Sequence, residues 1–248
     1  MTVAAATPVL ILASLVAGCT APPPALTEPP PAAPPTLELT YSCGGPPGFA
    51  PALLDRPANA ETEEHPSAAA LRAAIAEDRP ETEILPASGY WLVSRDDRFA
   101  RYIARGPVED GLGFVSPIIE TRGGGWELAG AGGCLRPGIV LDGLNPATWV
   151  LDPAAPAPDA AATTFTALVT EGACTSGQPM GGRLLPPSID YGVDAILVVF
   201  AARPLAGGAD CQGNPATRAV VQLREPLGDR RLLDASVFPP MEPLAPES

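Results

Sequence analysis

His65 is the only histidine in the chain, and all 15 basic residues are arginine. The absence of lysine excludes a Schiff-base lysine, a Ser-Lys pair and a P-loop lysine. A Ser-His-Asp triad would have to use His65, which stands before a proline in "ETEEHPSA" with no G-x-S-x-G elbow elsewhere. An exposed loop histidine is the expectation. Carboxylates are more plentiful: Glu61, Glu63 and Glu64, then Glu77, Asp78, Glu81 and Glu83, with Asp96-Asp97 further on. A facing pair of acids would suit glycoside hydrolysis, and acids interleaved with turn glycines would suit calcium. Neither spacing is present, so a solvated acidic face beside a helix is expected. "RGPVEDGLG" lacks G-x-G-x-x-G spacing and "TRGGGWE" lacks a lysine; both read as turns. Trp91, Trp126 and Trp149 sit beside apolar residues, as core anchors do. No catalytic, cofactor-binding or metal-ligating residue is assigned, and no cofactor is implied.

The five cysteines carry more information. Cys19 ends an apolar run, Val9 to Ala17, and stands in Leu15-Val16-Ala17-Gly18-Cys19. This stretch resembles the lipobox of bacterial lipoproteins, although the preceding residues 1–8 hold no Arg or Lys. The resemblance implies a signal peptide over 1–18 and a lipidated Cys19 as mature N-terminus, with two or more acyl chains including palmitate-type acylation. From Thr20 to Thr36 the chain holds eight prolines and no periodic apolar pattern. At ~3.1 Å per residue such a polyproline II tether, residues 19–36, would hold a domain up to ~50 Å from a bilayer. The four remaining cysteines, Cys43, Cys134, Cys174 and Cys211, are an even set in an exported chain and read as two disulfides with three possible connectivities. None forms a C-x-x-C pair, which disfavours zinc and thioredoxin-like readings.

"LDPAAPAPDAAATT" separates the folded part into two expected units, 37–152 and 164–240, with a linker at 153–163 and a tail at 241–248. The simplest partition then joins Cys43 to Cys134 and Cys174 to Cys211. In the first unit "HPSAAALRAAIAEDRP" predicts one helix, started by Pro66-Ser67 and stopped by Pro80. "GYWLVSRDDRFARYIARG" predicts a hairpin turning at Asp96-Asp97, and "GLGFVSPIIE" and "GGGWELAGAGGC" two further strands. In the second unit "TTFTALVTE", "AILVVFAARP" and "RAVVQLREPLG" are β-branched runs bounded by Gly, Pro and Asp. The fold class expected is α+β: one helix with antiparallel strands, then a mostly antiparallel β-sheet or sandwich. In "EPLGDRRLLD", Pro226 and Gly228 suit a turn, with Arg230 or Arg231 pairing Glu225 or Asp234.

The stretches "VTEGACTSGQPMGGRLLPPSIDYGVDAILVVF" and "CQGNPATRAVVQLREPLGDRRLLD", the closing "FPP", and "CGG" and "GGCLRP" around Cys43 and Cys134 are similar to a recurrent module. It occurs in secreted proteins and lipoproteins of high-GC Gram-positive bacteria. The resemblance implies a compartment and no mechanism. A net charge of −13 repels phosphate backbones, so nucleic acid is not an expected partner. The function expected is a lipid-anchored protein on the extracytoplasmic face of the cell membrane, a non-catalytic binding or scaffolding module with an envelope protein as partner. The alternative is a carboxylate-based glycan hydrolase.

Overall fold

The computed structural model describes residues 38–77, 82–109 and 111–243. The expected signal segment 1–18, Cys19 and the tether 19–36 lie outside them, as do Asp78, Glu81 and residues 244–248 of the tail. The strands, in chain order, begin with β1 (Tyr41–Ser42). After a 3-10 turn at Pro51–Leu53 comes α1 (Pro66–Ala76). Then follow β2 (Tyr90–Arg95), β3 (Phe99–Val108), β4 (Gly111–Arg122), β5 (Gly125–Cys134), β6 (Gly138–Ile139), β7 (Asn145–Leu151) and β8 (Thr164–Glu171). The last are β9 (Ser188–Tyr191), β10 (Ala195–Ala202), β11 (Thr217–Gln222) and β12 (Arg231–Asp234). The described chain is therefore mostly antiparallel β-sheet with a single α-helix.

β2-β3-β4-β5 form a four-stranded antiparallel meander. Asp96 closes its first turn, its Oδ1 accepting from the backbone N–H of Arg98 and Phe99 at 2.7 Å each. This is the short polar side chain satisfying the backbone that favours Asp at turns. α1 starts at Pro66, where the missing N–H costs nothing, and buries Ala68, Leu71 and Ala74. Ala68 and Leu71 pack with Tyr90, Tyr102 and Ile119 of the meander.

The second sheet runs β11-β8-β7-β10-β12, with β9 on the other edge of β10; the β10–β12 pair is parallel. Its core follows strand periodicity. Phe165, Ala167 and Val169 of β8 and Ile196, Val198 and Phe200 of β10 alternate inward onto Trp149. Burying each large apolar side chain contributes about 1.5–3 kcal/mol. A third cluster collects Ile103 of β3, Phe114 of β4, Val199 of β10, and Tyr41, Phe49 and Ile139. Ile103 and Val199 point opposite to Tyr102 and Val198, so each sheet presents one face to its own core and the other to this shared cluster. The described residues form one compact unit.

The Pro/Ala stretch does not separate the sheets. It joins β7 to β8, which are antiparallel neighbours, so β7 leaves the first expected unit for the sheet of the second. The connection is held by Leu227 N–H donating to Ala162 O and Gly228 N–H to Ala160 O, 2.9 Å each. The bridges are Cys43–Cys134 and Cys174–Cys211, closing 91 and 37 residues of sequence.

Candidate functional site

His65 is not an exposed loop residue. It caps α1: its Nδ1 accepts from Ser67 N–H at 3.1 Å and lies 2.9 Å from Ser67 Oγ, and its ring stands edge-on to Trp126. This serine–histidine contact is structural. Ser67 has no exposed surface, and its hydroxyl also bonds the Tyr102 hydroxyl at 2.8 Å. A nucleophile must reach a substrate, and this one is sealed beneath the helix. The nearby acids are also engaged, rather than forming only a solvated face. Glu61 Oε1 accepts from the backbone N–H of Gly89 and Tyr90, and Glu63 pairs with Arg95 at 2.5 Å. Of the tryptophans, Trp149 is core while Trp91 and Trp126 are half-buried at its margins.

The motifs of the second half hold loops. Glu171, only 2 % exposed, ends β8 and is gripped by Arg183, Nη2 to Oε2 at 2.6 Å and Nη1 to Oε1 at 2.9 Å. Asn145 donates to the same Oε1 at 2.8 Å. Burial alone would raise the Glu171 carboxyl, but the Arg183 and Asn145 hydrogen bonds outweigh it and hold it below the usual value. Asn214 of "CQGNP" donates to Glu171 O and Ala173 O at 2.8 and 2.6 Å, beside the Cys174–Cys211 bridge. In "EPLGDR", Arg230 pairs with Glu225 at 2.7 Å and donates to Leu227 O and Pro226 O, which closes the turn. Asp234 has no arginine; its oxygens accept from Ser236 N–H at 2.8 Å and Trp149 N–H at 3.4 Å, and burial raises its pKa. It lines a cavity of about 190 Å³ with Trp149, Leu168 and Met241, under the C-terminal segment.

Among the described residues a further surface is not accounted for by these structural roles. A groove of about 400 Å³ is lined by Arg105, Leu112, Phe114, Leu135, Arg136 and Pro239, with the glycines 106 and 113 between them. Three separate stretches build it. The end of the β3–β4 hairpin places Arg105 and Leu112, with Gly106 opposite Gly113. A Cβ on Gly113 would meet the Cys134 carbonyl oxygen and the Leu135 Cα, so only glycine lets the next wall come this close. That wall is Leu135-Arg136, leaving β5 just after the Cys43–Cys134 bridge. Pro239 arrives because residues 236–238 zip onto 137–139, with Ile139 N–H to Ser236 O at 2.8 Å and Phe238 N–H to Pro137 O at 2.9 Å. Phe114 is the buried floor, with the Arg105 guanidinium 5.2 Å from its ring centroid. Leu112 is 84 % and Leu135 45 % exposed. Neither Arg105 nor Arg136 has an ion-pair partner among the described residues.

Sequence reasoning missed this groove. Its only signals were an arginine two residues after Cys134 and a leucine set between glycines at 111 and 113, neither with any periodicity. Among the described residues no cluster of His, Cys, Asp and Glu has the arrangement of a metal site, and no helix is long and apolar enough to cross a membrane. Comparison of the chain with protein-family models, with curated proteins and with solved structures finds no match.

Proposed function

We propose that this chain is an exported lipoprotein, anchored through Cys19 to the extracytoplasmic face of the cell membrane, that acts as a non-catalytic binding module for another envelope protein. The lipobox-like stretch, the proline tether and the lipoprotein-like sequence stretches support the address. Two disulfides, at home in an oxidising compartment, agree with it. The observation that carries the binding role is the groove between Arg105 and Arg136. It combines exposed leucines with unpaired cations, while Ser67, Glu171 and Asp234 are buried and already hydrogen-bonded. Exposed apolar groups grouped in one patch mark interaction sites more often than scattered ones do.

Cross-linking in intact cells, followed by capture of the tethered protein and mass spectrometry, tests the reading. A single reproducible envelope protein, lost from an Arg105→Gln/Arg136→Gln variant, is the expected result. Retention of wall fragments with no protein partner would overturn it in favour of a glycan hydrolase. Cys19→Ala should release the protein or leave it unprocessed; a Cys19→Ala protein still carrying lipid would refute the anchor.

A further inference from the structure

We infer that the Arg105–Arg136 groove recognises an acidic segment of the partner protein in which apolar side chains alternate with carboxylates. This rests on the binding-module reading and names what the groove takes. The chain carries −13 overall, yet among the described residues no acid lines this groove and both of its arginines lack an ion-pair partner. Against so acidic a background, a local pair of free guanidiniums selects a carboxylate-bearing ligand. Guanidinium forks match carboxylates bidentately, so the pair also fixes orientation.

The floor supplies the second half of the specificity. Phe114 lies under the groove while Leu112 and Leu135 stand out from it. An apolar side chain entering between the two leucines would cover surface that water now wets, and Pro239 closes one side without offering a backbone donor. The groove is only partly enclosed, which leaves room for one or two side chains of an extended peptide. Arg105 is pre-positioned by its stack on Phe114, which lowers the ordering cost of a new contact.

The test uses the full chain in phosphatidylcholine nanodiscs and two fluorescein-labelled, amidated hexapeptides, one alternating Glu and Leu, the other Gln and Leu. Anisotropy titrations at low salt should show the Glu peptide binding about tenfold more tightly, the product of two modest exposed charge pairs. Added salt should erase most of that difference. Arg105→Gln/Arg136→Gln should weaken the Glu peptide about tenfold and leave the Gln peptide unchanged. Leu112→Ser should weaken both; its side chain is exposed, so an unchanged melting temperature verifies the fold. Equal affinity for the two peptides, undiminished binding by the double arginine variant, or no binding of the Glu peptide would each overturn the inference. Capture of an envelope partner in cells without peptide binding would remove the groove's specificity and leave the module. Peptide binding without any cellular partner would remove the module reading instead.

Discussion

At the scale of single residues, the strongest electrostatic commitment is Glu171 with Arg183. Breaking a buried pair by removing one partner leaves an uncompensated charge, at a cost of about 3 kcal/mol or more. Arg183 keeps some exposure, 18 % of its side chain, so the lower end of that range applies. Glu171→Gln should therefore lower the urea midpoint by an amount equivalent to about 3 kcal/mol, with an unchanged m-value. The sign of the pH dependence follows. The folded-state pKa of Glu171 is depressed, so its contribution is present above the ordinary glutamate value of about 4.3 and is lost as pH falls through the lower folded value. Glu171→Gln should flatten the acid limb of the stability profile. Tyr41 acts at the other end. Burial first, then the nearby Asp234 charge, raises its pKa to about 12. Its stabilising contribution is present below the ordinary tyrosine value of about 10 and is lost as pH rises toward 12. Parallel recordings of tyrosinate absorbance and far-ultraviolet circular dichroism should show ionisation of Tyr41 coinciding with unfolding. Ionisation of Tyr41 in a folded chain near pH 10 would refute its burial.

At the scale of elements, α1 depends on an unusual cap. The His65 ring accepts the Ser67 N–H that would otherwise be orphaned. His65→Ala should cost about 1 kcal/mol by thermal unfolding, and His65→Asn, which restores an acceptor, should recover most of it. The meander depends on a close approach. Gly113→Ala would drive a Cβ into the Cys134 carbonyl, so β4 and β5 must part where the groove forms. The expected loss is about 1–3 kcal/mol, with peptide binding weakened as well. Gly130→Ala, in the same β5 but with open space around its Cβ position, should be nearly neutral in both readouts.

At the scale of the whole molecule, the two bridges differ in reach. In the chain-entropy account, loops of 91 and 37 residues are stabilised by roughly 4–5 and 4 kcal/mol. Replacing both cysteines of Cys43–Cys134 with alanine should cost more than replacing Cys174–Cys211. Only the former should weaken the groove, because Cys134 directly precedes Leu135 and Arg136. Calorimetry of the two double variants, with a groove titration of each, checks both statements. Equal loss of binding in the two variants would show that the bridges act through global stability alone.

Features with local causes could be read along the chain. The start of α1 at Pro66-Ser67, the Asp96 turn, and the strands around Ile119, Val169 and Val198 were legible because proline, turn chemistry and period-2 alternation act within a few residues. The even set of four cysteines after Cys19 was legible for the same reason. Features made by chain segments far apart emerged only on folding. β7 joined the second sheet because its partner lies beyond the Pro/Ala stretch, and the short β6 and β9 carry too few residues to show a period. Glu171 became a buried ion-pair partner only when Arg183 folded back onto β8. The groove needed Arg105, Arg136 and Pro239 to meet, and their meeting depends on long-range backbone pairing and a glycine contact that leave no periodic trace along the chain.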